Sequence, residues 1–568
     1  MQNGQNGANP QPRVMAGSGL SYAYPLLIRN ILRTGVEQGK GRSIVYRDQG
    51  RYDYATFGAR VARLANALTA LGLRAGQIVG VLDWDSHRYL ESYFAVPGMG
   101  AILHTVNIRL SPDQILYTIN HAQDDLLLVH ADFLPMLEGI WDQIDCVKKI
   151  ILIRDDDGHV ETRLPIDGEY EAIVNAARDD YEFPDFDENA CATLFYTTGT
   201  TGLPKGVFFS HRQIVLHTLS TAIALGSAAR QGRVHRDDVY MPITPMFHVH
   251  AWGMPFIATM LGLTQVYPGR YTAPVLLDLI RREKVTFSHC VPTLLTMLLN
   301  DPAGRSVDLS RWKVVVGGSA LSRGLATVAL ERGIDAFAGY GMSETCPVLS
   351  IAHIASDAPE GDPEEPLNLR TRAGFAIPLV EMKIVDAAMQ EQPQDGKSSG
   401  EIIVRAPWLT PGYLGDPEHS DQLWRGGYLH TGDVGIRHPD GSLQITDRIK
   451  DVIKTGGEWI SSLELESLIS QVAGVQEVAV IGIPDPCWGE RPMALSVPAP
   501  AAARGVEEAV SEHMAACCRR GAISKWAIPQ TIVLVDNIAK TSVGKIDKKA
   551  IRARYGPVQA MAPASRRE

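Results

Sequence analysis

Polar and apolar positions alternate between two textures along the chain. Phe57, Val61, Leu64, Leu68 and Leu71 recur at steps of four and three, the stripe of an amphipathic helix. Apolar runs follow at "IVGVL" (78–82), "LLLVH" (126–130) and "IILIR" (150–154), each short enough for a buried strand. Further runs, "VTFSH" (285–289), "KVVVGGSA" (313–320) and "IDAFAGYG" (334–341), alternate with helical stretches. This pattern predicts an α/β domain of mostly parallel sheets, with ligands at strand ends. From about Ala373 come short strands and turns, "MKIVD", "GEIIVR" and "GSLQITDR", which predict an antiparallel β subdomain. After Arg448 a charged, helix-like stretch at 458–473 leads to "VAVIGIP" and "TIVLV", a small α+β unit. The expected organisation is a disordered tail at 1–17, a large N-terminal domain at 18–449 and a small C-terminal domain at 450–568.

One stretch needs a membrane check. Met241 to Gly269 holds no Asp, Glu, Lys or Arg, yet Pro242, Pro245, Pro255 and Pro268 interrupt it and two histidines lie inside. It lacks a clean apolar span of about 18 residues and reads as a buried loop followed by a helix. With 45% hydrophobic and 21% charged residues, the 568-residue chain has an ordinary globular composition and is too long for one core. Its formal net charge of −10 argues against a nucleic-acid partner. Seven dispersed cysteines without a C-x-x-C pair read as reduced thiols, so a cytoplasmic location is expected. The Gly/Asn/Gln/Pro-rich start lacks the apolar region of a signal peptide, and the end is not a peroxisomal S-K-L address.

The densest chemistry lies in "YTTGTTGLPKG", Tyr196 to Gly206. Backbone N–H groups of a glycine-rich turn, several hydroxyls and the charge of Lys205 can wrap phosphate oxygens. A flexible polar linker is the plainer alternative. It is not the G-x-x-x-x-G-K-[ST] loop, because Gly206 follows Lys205 where Ser or Thr would stand.

This stretch resembles the signature of the adenylate-forming superfamily: acyl- and aryl-CoA synthetases, peptide-synthetase adenylation domains and beetle luciferases. Further motifs follow in that superfamily's order: "PMFHVHAW" (245–252), "GGSALS" (317–322), "GYGMSE" (339–344), "GEIIVRAP" (400–407), "YLHTGD" (428–433), "DRIKDVIKTGGEWIS" (447–461) and "KTSVGK" (540–545). The resemblance covers residues from about 20 to 550, and "PMFHVHAWG" with "KTGGEWIS" looks most like medium-chain fatty acyl-CoA and methylmercaptopropionate-CoA ligases. It implies a two-step reaction: a carboxylate attacks the α-phosphorus of ATP and expels pyrophosphate, then the thiol of coenzyme A attacks the acyl-adenylate.

The resemblance also implies roles. Thr197, Thr198, Gly199, Thr200, Thr201, Gly202 and Lys205 would cradle the β- and γ-phosphates, and Glu344 with Thr200 would hold Mg²⁺. Tyr340, flanked by Gly339, Gly341, Met342 and Ser343, would offer a face to adenine, with Gly317, Gly318 and Ser319 walling the other side. Asp433, supported by Arg448, suits the ribose hydroxyls; its plainer reading is a turn or cap aspartate. His248 would close over the carboxylate, and Trp252 with Gly317 and Gly341 would shape the acyl pocket, His250 serving packing. Lys545 would bridge carboxylate and α-phosphate, whereas Lys540, preceded by Ala539 where proline is common, is less clearly placed. Lys450 would be the hinge of a mobile C-terminal domain, and Lys454, Gly456, Gly457, Glu458 and Trp459 would border the pantetheine passage.

The expected function is an AMP-forming carboxylic acid–CoA ligase acting on medium-chain or similar apolar acids. Open alternatives are a 3-methylmercaptopropionate-CoA ligase, an enzyme loading a carrier protein, a luciferase-like oxygenase and a nucleotide-binding regulator without turnover. A homodimer is the assembly to test.

Overall fold

A computed structural model describes residues 12–197, 203–227, 234–354, 365–455, 458–499, 505–542 and 544–559. Among these, the strands form four sheets. A seven-stranded sheet runs in the order Ile166–Glu169, Lys149–Ile153, Leu126–His130, Ile78–Leu82, Ile102–Thr105, Cys191–Thr197 and Lys205–Ser210. Its pairs are parallel except the last, where Thr197 faces Lys205 across an antiparallel hairpin. A nine-stranded sheet has a parallel centre of Lys313–Val316, Phe287–Cys290, Val239–Pro242 and Thr264–Tyr267, with antiparallel pairs near both edges.

The helix His87–Gly98 is buried along its whole length and shares one core with residues of both large sheets. A helix without a wet face belongs in an interior. Its N-cap, Ser86, accepts hydrogen bonds from the backbone of Arg88 and Tyr89. This enclosed geometry fixes the loop before it, residues 83–86, against the other sheet.

The antiparallel four-stranded sheet comprises Glu381–Val385, Ser399–Arg405, Leu429–Arg437 and Leu443–Arg448. A five-stranded sheet from Ile453 onward carries its own apolar clusters. The helix-like stretch at 458–473 is shorter than its charge pattern suggests. Glu458–Ile460 is a strand, and the helix occupies Ser462–Ile469 with Ser461 as N-cap. Pairing with Ile453–Thr455 takes the first three residues away from the helix. Likewise Met241 to Gly269 is a strand end, a loop, the helix Met254–Met260 and the strand Thr264–Tyr267. Among the described residues no helix is long and apolar enough to cross a membrane.

Candidate active site

The strand Asp335–Gly341 carries Tyr340 out of the parallel core to where it meets the antiparallel four-stranded sheet. Its hydroxyl donates to Asp433 Oδ2 at 2.9 Å, and Arg448 Nε lies 3.3 Å from Asp433 Oδ1. Asp433 and Arg448 are cross-strand neighbours, so the register of Leu429–Arg437 on Leu443–Arg448 builds this pair. Asp433 is therefore a strand residue, not a turn or cap. Burial raises its pKa, and Arg448 opposes that shift. Close backbone approach explains two glycines here. A Cβ on Gly341 would fall 1.8 Å from Pro347 O, and one on Gly317 would fall 2.7 Å from Gly339 O. Gly318 is half-buried and Ser319 exposed at the same strand end.

Glu344 follows in the short turn Ser343–Thr345, where the Thr345 hydroxyl accepts from Met342 N at 3.0 Å. Tyr413 donates to Glu344 Oε1 at 2.7 Å, and Lys205 Nζ lies 4.7 Å from the Tyr413 ring centroid. Lys205 and Glu344 thus share one aromatic neighbour. Burial raises the Glu344 pKa, with Tyr413, Lys545 and Arg448 pulling the other way. Thr197 and Lys205 close the base of the hairpin that bears the glycine-rich loop; Thr198, Gly199, Thr200, Thr201 and Gly202 lie outside the described residues.

The segment at 243–253 is clamped through its backbone. Asp85 accepts from Met246 N at 2.7 Å, Tyr93 donates to Met246 O, Thr105 to Phe247 O at 2.9 Å and Tyr271 to Ile243 O at 2.7 Å. Beyond His248 the chain makes a left-handed turn. Val249, His250, Ala251, Trp252 and Gly253 have φ of 48°, 54°, 48°, 59° and 73°. Four consecutive non-glycine residues there cost about 1–2 kcal/mol each. The turn lays the Trp252 ring over Gly317, so close that a Cβ on that glycine would fall 3.2 Å from it, and 5.1 Å from the His289 ring. His250 is buried among the rings of Tyr93, Phe195, Phe209 and Phe256. His248 is half-buried, and burial with Lys545 and Arg109 nearby pushes its pKa down to about 3, so it is neutral near pH 7.

Lys545 reaches this group from the C-terminal part of the chain. Its Cε would lie 3.0 Å from a Cβ on Gly318. The loop carrying it docks through Asn107 Nδ2 to Ser542 Oγ at 3.2 Å, Arg109 to Ser542 O at 3.4 Å and Thr293 Oγ1 to Gly544 O at 2.8 Å. Burial and then Arg448 bring the Lys545 pKa down to about 8, against the pull of Asp433 and Glu344. Lys540 instead pairs with Glu477 at 3.2 Å. The hairpin of Lys454, Glu458 and Trp459 is exposed: Lys454 Nζ lies 5.5 Å from the Trp459 ring, and Glu458 accepts from Ser524. Gly456 and Gly457 lie outside the described residues. Lys450 follows Arg448 in the turn between the four- and five-stranded sheets.

The chain matches the AMP-binding enzyme family over residues 32–414 and the AMP-binding enzyme C-terminal domain over 464–545. It belongs to the AMP-binding enzymes. A long-chain-fatty-acid–CoA ligase of Thermus thermophilus is 39% identical over 509 residues, covering 89% of this chain and 90% of the relative. A 3-methylmercaptopropionyl-CoA ligase of Ruegeria lacuscaerulensis is 37% identical, covering 94% and 98%. A medium-chain-fatty-acid–CoA ligase of Ectopseudomonas oleovorans is 36% identical, covering 88% and 90%. In fold, this AMP-binding enzyme is similar to the anthranilate CoA ligase AuaEII in complex with anthranoyl-AMP, with a TM-score of 0.83 at 24% identity, covering 95% of this chain and 99% of that one.

Several residues of this AMP-binding enzyme's site escaped the sequence reading. Tyr413 sits in "TPGYLGDP", whose proline and glycines signal a turn but not a partner for Glu344. Asn107, Arg109 and Thr293 stand outside the recognised motifs and gain meaning only by meeting the loop before Lys545.

Proposed function

We propose that this enzyme is an ATP-dependent carboxylic acid–CoA ligase, joining an unbranched apolar acid of medium length to CoA through an acyl-adenylate. The observation that carries the reading is that Lys545 reaches Gly318, its loop docked on Asn107, Arg109 and Thr293, where its charge acts on Asp433, Glu344 and His248. A carboxylate and the ATP α-phosphate are both anionic, and a half-buried cation between them lowers the barrier to their meeting. Asp433 accepts from the ribose hydroxyls while Tyr340 offers its ring to adenine. Thr197 and Lys205, at the base of the loop, face the β- and γ-phosphates as pyrophosphate leaves. Neutral His248 can donate one hydrogen bond to the acid without competing for its charge.

The residues fit Mg²⁺, because buried Glu344 carries a desolvation cost that a divalent cation offsets, and magnesium commonly takes few carboxylates beside phosphate oxygens. Glu344 and Thr200 would hold it; when bound it neutralises phosphate charge. In the second step CoA enters along Lys454, Gly456, Gly457, Glu458 and Trp459 after the C-terminal domain turns about Lys450.

The test is ATP–pyrophosphate exchange with acids from acetate to palmitate, including 3-methylmercaptopropionate, followed by thioester formation on adding CoA. Exchange with octanoate well above acetate, and thioester formed with CoA, is expected. Each added CH₂ should contribute about 0.8 kcal/mol until the pocket is full. Preference for amino acids, or for acetate over octanoate, would overturn the substrate reading, and exchange without thioester would point to a carrier protein.

A further inference from the structure

The strained turn that bears Trp252 cannot hold itself in place, and the loop before it supplies few bonds of its own. His248 N bonds Pro245 O at 3.0 Å and Gly253 N bonds His250 O at 3.0 Å, but these are local and would survive a rigid shift of the whole segment. What locates the segment relative to Gly317 is the clamp from neighbouring elements. Within that clamp, one group is a carboxylate. Asp85 is almost fully buried at the end of the loop before His87–Gly98, and Gly269 N donates to its carbonyl at 2.8 Å. Its side chain accepts the Met246 amide, two residues before His248. It also lines a cavity of about 140 Å³ with Trp84, Ile108, Arg109, Phe247, Arg270 and Tyr271. Burial pushes its carboxyl up to about 7, with the Met246 amide and Arg109 opposing.

We propose that Asp85 is a positioning residue for the acyl site: by accepting the Met246 amide it fixes the segment that presents His248 and Trp252 to the acid. A costly buried carboxyl stands where the backbone of the loop before the strained turn needs an acceptor. The neighbouring contacts divide the same work: Tyr93 holds the other side of the Met246 peptide, and Thr105 holds the next carbonyl. Without Asp85, the Met246 amide is left buried and unpaired, and the segment relaxes away from Gly317. The adenine and ribose contacts of Tyr340 and Asp433 do not run through this segment, which meets the adenine wall only where Trp252 lies over Gly317, so the acid should feel its displacement more than ATP does. Because the bond needs an acceptor and not a charge, an asparagine carbonyl can replace the carboxylate. The inference rests on the assignment of His248 and Trp252 to the acyl site.

The test measures pyrophosphate exchange on the full chain, with octanoate and ATP varied separately. Asp85→Ala should lower kcat/KM for octanoate about 10- to 100-fold, the scale of one buried N–H left without its acceptor. The KM for ATP should stay within about twofold. Asp85→Asn should recover most of the loss. Should Asp85→Ala fail to fold, Tyr93→Phe and Thr105→Val remove neighbouring clamps and should lower octanoate kcat/KM selectively; an unchanged octanoate term in both would overturn the inference. It is likewise overturned if Asp85→Ala leaves octanoate kinetics unchanged, impairs ATP and acid alike, or is not rescued by a folded Asp85→Asn. Trp252→Ala separates the two readings. If it alters acid preference while Asp85→Ala does not, the positioning role alone is wrong; if neither alters it, the acyl-site assignment falls as well.

Discussion

A lysine that loses water on folding becomes easier to deprotonate, and Lys545 shows this strongly. Burial is the larger cause and Arg448 adds to it, while Asp433 and Glu344 hold the shift to about 8. The free enzyme therefore has a cationic Lys545 below pH 8 and a neutral one above. If the cation serves adenylation, kcat/KM for pyrophosphate exchange should fall as pH rises through about 8, and Lys545→Arg should move that limb far upward. The stability sign is opposite to that of a paired lysine. The charged form is disfavoured on folding, so the penalty is present below pH 8 and fades between there and the ordinary lysine value of about 10.4. Lys545→Ala should reduce adenylation about 10²- to 10³-fold, the scale of one lost transition-state contact. It should still convert a supplied acyl-adenylate and CoA to thioester; equal loss of both half-reactions would remove Lys545 from its assigned step.

At the scale of an element, the left-handed turn at 249–253 has properties that no single residue in it reveals. Each of its L-residues would be more comfortable in a right-handed helix, yet all sit in the core with Trp252 over Gly317. Ala251 makes this measurable. Ala251→Gly removes backbone strain of about 1–2 kcal/mol and a buried methyl worth about 0.8 kcal/mol, so its stability should stay within about 1 kcal/mol of the parent. Ala251→Val puts a stiff, branched side chain at φ 48° in a filled interior and should destabilise by about 2 kcal/mol or more. Urea midpoints of the two variants decide it. A right-handed turn would reverse the glycine result, because glycine would then add backbone entropy to the lost methyl.

Across the whole molecule, the helices Ser462–Ile469 and Lys548–Gln559 are tied to the last strand of the four-stranded sheet and to the turn after it, close to Lys450. Asp447 Oδ2 accepts from Ser462 N at 2.6 Å and from its hydroxyl at 2.7 Å. Lys548 donates to the same hydroxyl and pairs with Glu466 at 2.7 Å, and Arg552 pairs with Asp451 at 2.7 Å. These bonds accompany the arrangement in which Lys545 reaches Gly318. With the domain turning about Lys450 between the two steps, as proposed above, Lys450→Pro should spare pyrophosphate exchange and slow thioester formation by about tenfold or more. Stopped-flow separation of the two half-reactions checks this, and equal rates in both would remove the hinge from Lys450.

Much of the architecture was legible in the sequence because its signals are local. The runs at 78–82, 126–130 and 150–154 become adjacent parallel strands, since a buried strand needs only a short apolar run between turns. The glycine-rich loop after "CATLF", and the order of the motifs that follow it, point to the adenylate-forming superfamily without help from the fold. Other features depend on residues far apart in the chain. Tyr413 meets Glu344, Asp85 meets Met246 and Asn107 meets Ser542 only once the sheets have packed. The strand at Glu458–Ile460 was hidden for the same reason, its partner strand competing with a helical pattern. The turn at 249–253 is the sharpest case: local preference favours the right-handed conformation, and the packing of Trp252 on Gly317 and His289 and of His250 among four aromatic rings accompanies the left-handed one. Local pattern and motif order were enough for most element types and for the family. Tertiary structure decided which residues meet and in what backbone shape, because only packing between distant segments can outweigh a local conformational cost.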